Sequence, residues 1–345
     1  YSGGATCPSL LLEPSRTNIF TESEYFDGNA WTKYGGASLT NNNAVSPEGV
    51  QNATKLTDVG GIYDQIPYTP DTNYVFSLFA KTDTATSITL NFVDQAAGYL
   101  GGTIQYTFST NVASVILQSA NGSVTADKED YGNGWIRVVL KFKTNVAQNY
   151  NYQAIEFQGG DGWIFGAQLE AASYPTSYIP TYGVSQTRAR DEAYKTGATD
   201  LIGQTEGAMF IEFDKRNGTG DRRFFLQTGS GSTTIYARIE SNNTLTTQIL
   251  NSGTDYLTIT GIAIPSGTNK FAVAYANNDA VFYLNGTQLA SSSNVVVPAL
   301  SSLYVGSNSS GAQILGGSVN QTLLFKTRLS NLDLAILTGA TTYNT

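Results

Sequence analysis

Histidine is absent from the 345 residues, and cysteine occurs once, at Cys7. The first absence removes Ser-His-Asp and Cys-His catalysis, imidazole zinc sites and the usual neutral-pH proton shuttle. A single cysteine excludes an internal disulfide and any multi-cysteine metal centre. Charge is also scarce, at 13% of residues against about 25% in an average globular protein. The net charge is −8, and the densest basic features are the pairs Arg188/Arg190 and Arg222/Arg223. No basic stripe is available for a phosphate backbone, so nucleic-acid binding is disfavoured. No apolar run approaches the roughly 18 residues of a membrane helix, so membrane insertion is not expected. The chain opens at Tyr1 with no signal peptide or initiator methionine, which is read as a processed product or part of a longer protein.

What is present is glycine (35), tyrosine (21) and abundant Ser, Thr and Asn, the profile of a neutral, polar, extracellular or virion β-protein. The length accommodates two domains, each with its own core. Short segments of β-rich or alternating character recur between turn signals throughout: TNYVFSLFAKT, SITLNFV, GTIQYTF, WIRVVLKFKT, YQAIEFQ and GWIFGAQLE before residue 171, then AMFIEFD, RRFFLQT, TIYARIE, NKFAVAYA, AVFYLNGTQLA, SSLYVGS and QTLLFKT. In WIRVVLKFKT, Ile136, Val138, Leu140 and Phe142 share one face, with Arg137, Lys141 and Lys143 on the other. Period-2 patterning at this spacing predicts an all-β protein made of two antiparallel β-sandwiches in tandem.

Within AVFYLNGTQLA, the dipeptide Asn285-Gly286 predicts a two-residue type I′ hairpin pairing 281–284 with 287–290. One short C-terminal helix is expected in SNLDLAILTGA, capped by Ser330, with Asp333 in its first turn and Gly339 at its end. Leu332, Ala335 and Ile336 form the stripe expected to dock it on a sheet edge. The expected domains are residues 1–186 and 207–345. The charged stretch 187–206 is read as a solvated linker, or as a clamp in which Arg188 or Arg190 pairs with Asp191 or Glu192. In GAQLEAASYPTSYIPT (166–181), the alternation through Phe165, Ala167 and Leu169 marks a final edge strand, with Pro175 and Pro180 stopping further pairing and Tyr174 and Tyr178 packing back as a seal.

Candidate chemistry is sparse. Glu212-x-Asp214-x-x-Asn217 is similar to the E-x-D-x-x-E strand of laminarinase-like glycoside hydrolases, but an amide replaces the second glutamate. Asparagine can neither protonate a leaving group nor act as a general base, so the two-carboxylate mechanism loses a member and no enzyme activity is expected. Trp31, Tyr34 and Tyr63 are the aromatics singled out as exposed carbohydrate platforms, because ring faces stack on sugars. Trp135 and Trp163 are read as core or rim packing. A metal could be held only through oxygen, by a structural calcium drawing on Glu22, Glu24, Asp27, Glu48 and Gln168, with Glu24, Glu48 and Gln168 the favoured set.

LLLEPSRTNIFTESEYFDGNAWTK, SPEGVQNATKL, FSLFAKT, GNGWIRV, WIFGAQLEAASYPTSYIPT and TRARD, in that order over residues 10–191, resemble the carbohydrate-binding-module-like jelly roll of bacteriophage tail-fibre, head-fibre and other virion appendage proteins. Residues 207–345 resemble a laminin-G or concanavalin A-like lectin domain, through NKFAVAYANNDAVFYLNGTQLASS, SLYVGS and LLFKTRLSNLDLAIL. These resemblances imply a jelly-roll sandwich of about eight to ten strands, often holding a structural calcium. They imply a non-catalytic virion protein that binds a host cell-surface glycan or spaces other domains, with other virion proteins as partners, assembled as a homo-oligomer with a trimer favoured. The alternative is the binding module of a secreted bacterial glycoside hydrolase or adhesin.

Overall fold

The computed structural model describes residues 9–94, 101–118, 123–144, 151–215, 222–228, 232–311 and 313–339. The chain divides into two compact units. One is Ser15–Arg188, and the other joins the segment up to Pro14 with everything from Ala189 onward. Each is an antiparallel β-sandwich of two six-stranded sheets, as the period-2 patterning predicts.

In the first unit the front sheet runs, in spatial order, Val112–Leu117, Gly102–Thr107, Ser87–Asp94, Asn151–Gln158, Gly61–Gln65 and Thr32–Tyr34. The back sheet runs Val124–Gly132, Trp135–Lys143, Asn73–Thr82, Gly162–Glu170, Ala53–Leu56 and Leu39–Ala44. Between them lie Phe76, Leu78, Leu90, Ile104, Leu140, Ile155 and Phe157, all fully buried. Ile136, Val138, Leu140 and Phe142 enter this core together, but the opposite face of their strand is covered as well. Val139 packs with Val75 and Ala172, while Arg137, 2% exposed, lies over the Phe79 ring and donates to Ser77 Oγ.

That second layer explains the 166–181 stretch. Gly162–Glu170 is an interior strand between Asn73–Thr82 and Ala53–Leu56, not the expected edge. A bulge between Phe165 and Gln168 shifts its phase. Ile164, Ala167 and Leu169 therefore reach the core, whereas Phe165 joins Phe79 and Trp135 on the outer side, with Tyr178 packed against them. The segment after the strand is pinned by buried side chains. Asn18 donates from Nδ2 to the carbonyls of Ala167 and Ile179 and accepts at Oδ1 from the amides of Phe20 and Leu169. Gln168 Oε1 accepts from Ile179 N, and Glu170 accepts from Thr176 N and Gln168 Nε2.

The second unit pairs one sheet, Leu10–Leu12, Gly317–Phe325, Glu206–Lys215, Gly267–Ala276, Asp279–Leu284 and Thr287–Ser292, with another, Ala193–Thr196, Ser302–Val305, Arg222–Thr228, Thr234–Ile239, Thr244–Asn251 and Thr254–Ala263. The 187–206 stretch is thus not a solvated linker. Ala193–Thr196 is a sheet strand, and Ala198 and Ile202 are buried in this unit's core. Leu10–Leu12 likewise pairs with Gly317–Phe325, so this strand belongs with the C-terminal sandwich and the chain passes between the units twice.

The Asn285-Gly286 turn has the expected geometry, with φ of 48° and 83° and Leu284 facing Thr287. The helix Asn331–Thr338 is capped by Ser330, whose side chain accepts from Asp333 N, and closed by Gly339 in the left-handed region. Its buried side chains are Leu334 and Thr338; of the expected stripe Ala335 packs on the sheet, while Leu332 is 36% and Ile336 56% exposed. The helix covers a sheet face at Ala208, Phe210, Ala272 and Val281, so a different arc of a two-turn helix turns inward. Thr338 Oγ1 donates to Leu334 O and accepts from Gly286 N, tying the helix to the hairpin turn.

Candidate functional site

The exposed face of the first unit's front sheet collects aromatic side chains. Ile62 and Ile155 point into the core, so Tyr63, one residue on, and Tyr152, three residues before, point outward from adjacent strands. Tyr34, on the edge strand, faces Gly61 across the ladder. A Cβ at Gly61 would lie 2.7 Å from the Tyr34 hydroxyl oxygen and 2.4 Å from Ile155 O, so the bare glycine is what lets the tyrosine ring lie across the sheet. The three rings form a continuous row, with centroids 6.0 Å apart for Tyr34 and Tyr63 and 5.1 Å for Tyr63 and Tyr152.

Polar groups frame this row. Tyr34 donates to Glu156 Oε2 at 3.2 Å. Burial, and then the charge of Glu156, raise the Tyr34 hydroxyl well above the ordinary tyrosine range, so it remains a neutral donor. Asn91 faces Ala154 on the same side, and its buried Oδ1 has no hydrogen-bond partner among the described residues. A half-buried aromatic strip flanked by a carboxylate suits a ligand with alternating CH faces and hydroxyls.

The sequence-chosen residues divide accordingly. Tyr34 and Tyr63 come together, and Tyr152 completes the row. The alternation Tyr152, Ala154, Glu156 was the available signal for it, but its neighbours are set by strand register. Trp31 is not an exposed platform: it is 5% exposed, packs on Phe20 and Phe26, and donates from Nε1 to Glu22 O at 2.7 Å.

Glu24, Glu48 and Gln168 do not make a calcium cage here. The oxygen of Gln168 is committed to Ile179 N, and Glu24 already accepts from Asn52 Nδ2, Tyr178 OH and Tyr182 OH. Burial, then the charge of Glu24, raise the Glu48 pKa, as expected of two neighbouring carboxylates. Among the described residues no group of three or more Cys, Asp or Glu side chains lies together in a way that could hold a metal ion. In the second unit, Glu212 takes Lys270 at 3.5 Å and Asn320 Nδ2 at 3.3 Å, while Asp214 accepts from the hydroxyls of Thr268 and Ser318. Both are engaged by their cross-strand neighbours; Asn217 lies outside the described residues.

Asp64 lines a cavity of about 510 Å³ with Thr21, Asn29, Thr32 and Ile66. Burial raises its pKa from the ordinary 3.8 to about 6, opposed by a hydrogen bond from Gln65 N. Because the folded pKa exceeds the unfolded one, its contribution to stability is complete below pH 3.8 and is lost as pH rises to about 6. Asp64→Asn is therefore expected to raise the first unit's melting temperature at pH 7.5 and leave it nearly unchanged at pH 3.5. Calorimetry at the two values checks this, and an equal shift at both would reject the titration.

Residues 208–335 match the family model described as concanavalin A-like lectin/glucanases superfamily, a laminin G model. The second sandwich is similar to a lectin domain. The match spans little more than a third of the chain, and no curated protein matches the chain. Among solved structures, the carbohydrate-binding module of the Ruminococcus gnavus IT-sialidase, bound to α2,3 sialyllactose, is 16% identical over 41% of this chain and 87% of its own, with a TM-score of 0.36. Domains LG4-5 of the mouse laminin α1 chain are 10% identical over 91% of this chain and 93% of their own, with a TM-score of 0.29. The leech intramolecular trans-sialidase is 18% identical over 44% of this chain, which spans only 27% of that enzyme, with a TM-score of 0.37. Among the described residues, no helix is long and apolar enough to cross a membrane.

Proposed function

We propose that the chain is a non-catalytic, glycan-binding part of a virion appendage, a tail or head fibre that contacts host-surface polysaccharide through the first sandwich. The observation that carries the binding half is the row Tyr34, Tyr63, Tyr152 beside Glu156. Aromatic faces stack on pyranose rings while the polar rim reads hydroxyls. The missing histidines and the cross-strand engagement of Glu212 and Asp214 support the non-catalytic half. The ordered motifs of residues 10–191 support the appendage role. In a homotrimer, three shallow sites on one particle would gain avidity with no new contact.

A second reading, the binding region of a secreted glycoside hydrolase or adhesin, is favoured by the lectin/glucanase match of residues 208–335. Both share the tyrosine row. Glycan-array binding by the purified chain should fall about tenfold in Tyr63→Ala with unchanged melting temperature, a difference near 1.4 kcal/mol. Absence of binding to every bacterial polysaccharide, or binding indifferent to Tyr63→Ala, would reject the site. Binding and loss of infectivity in particles carrying the variant protein would separate the virion from the secreted reading.

A further inference from the structure

The second unit carries an aromatic site of its own, with a different electrostatic character. Tyr194 and Tyr304 face each other across the strands Ala193–Thr196 and Ser302–Val305, their rings stacked at 5.6 Å and 21°. Ala193–Thr196 is an edge strand, and Tyr194 is 57% exposed, so the stack opens to solvent at the rim of the sheet. The pair lines a cavity of about 220 Å³ together with Arg190, Glu192, Asn308 and Gly311. That volume is below the roughly 300–1,000 Å³ of drug-sized sites and suits a single sugar ring.

The arginine is held in place. A Cβ on Gly311, whose φ is +68°, would lie 2.1 Å from Arg190 Nε, so the guanidinium rests against bare backbone that no other residue would leave free. Glu192 is its ionic partner, with Nη2 2.6 Å from Oε1 and both side chains 42% exposed. A guanidinium carries five donors in a planar fork matched to a carboxylate, and one exposed ion pair in water is a weak competitor. A planar cation fixed beside a two-ring stack, with an asparagine on the wall, selects a ring that carries its own carboxylate. A neutral sugar would leave the arginine without a role. A polyphosphate would need the basic stripe that this chain, at net −8, lacks.

We infer that the cavity formed by Arg190, Tyr194, Tyr304 and Asn308 is a second glycan site, specific for a uronic-acid-type saccharide, in which the sugar carboxylate displaces Glu192 from Arg190. The site is distinct in residues and in ligand charge from the tyrosine row of the first sandwich.

Affinity electrophoresis of the full chain in gels containing polygalacturonate, neutral galactan or dextran sulfate tests it, in a Tyr63→Ala background so that the first unit's row does not contribute. The expected result is retardation by polygalacturonate alone. It should weaken about tenfold in Arg190→Gln and in Tyr194→Ala, and strengthen several-fold in Glu192→Gln, where the competing carboxylate is gone. The signs differ for residues in one cavity, which a merely structural role would not produce. Equal retardation by dextran sulfate that ignores Tyr194→Ala would show a diffuse charge effect and overturn the inference. So would retardation by neutral galactan, no retardation in polygalacturonate, or weakening in Glu192→Gln.

Discussion

Asn18→Ala is expected to remove most of the stability of the first sandwich while leaving the second unit's transition in place. The Asn18 side chain is fully buried and makes four hydrogen bonds, two donated to Ala167 O and Ile179 O and two accepted from Phe20 N and Leu169 N. Alanine would leave two amides and two carbonyls without that partner, in a place water reaches only by disrupting the packing. A buried polar group left unsatisfied costs about 1–3 kcal/mol. The sum, about 4 kcal/mol or more, is comparable with the whole stability of a domain at the low end of the usual 5–15 kcal/mol. Asn18→Asp should be nearly as damaging, because a carboxylate keeps the acceptors but loses both donors and buries a charge. Denaturant unfolding followed by calorimetry of the two transitions decides it. A loss below 1 kcal/mol would mean that the strand Gly162–Glu170 and its following segment are held by something else.

The second large effect concerns Trp31, and it is an effect on folding rather than on recognition. The indole contacts Phe20 at 4.9 Å and Phe26 at 5.3 Å between ring centroids, and its Nε1 donates to Glu22 O. Truncating a buried tryptophan to alanine costs about 3–5 kcal/mol through lost burial and the cavity left behind. Trp31→Ala should therefore lower the first unit's unfolding free energy by that amount, and Trp31→Phe by less, since a ring is retained. Glycan binding by the folded fraction should be unchanged, in contrast to Tyr63→Ala, where stability holds and binding falls. Retained stability with lost binding in Trp31→Ala would restore the tryptophan as a platform and remove it from the core.

These two residues show where local reading stops. Trp31 sits in FDGNAWTKYGG, a stretch whose glycines, asparagine and polar residues read as an exposed loop. Residues 26–31 are indeed irregular, yet Trp31 leads directly into the edge strand Thr32–Tyr34, and Phe20 and Phe26 enclose its ring. The strands Thr254–Ala263 and the charged Val124–Gly132 carry too weak an apolar alternation to stand out, because each is a sheet edge and buries little, while Thr244–Asn251 buries Leu245 and Ile249 but fills the inward position between them with Thr247. The helix was found by its caps, but which arc it buries depends on the sheet face beneath it.

What the sequence determined by itself was whatever a short stretch of chain can enforce. The Asn-Gly turn follows from two adjacent residues that tolerate positive φ, and the helix ends follow from Ser330 and Gly339 meeting unpaired backbone groups. The all-β class follows from period-2 patterning repeated along the chain, and the exclusion of imidazole and disulfide chemistry follows from a count. The tertiary structure alone decided which residues share a site. Tyr34, Tyr63 and Tyr152 meet because three strands distant in sequence adopt one register, and a shift of a single residue would turn Tyr63 into the core. Arg190 reaches Tyr304 and Gly311 only because residues 193–196 add a strand to the second sandwich instead of running through solvent. Register and edge pairing depend on burial summed over whole sheets, a quantity that no local stretch contains.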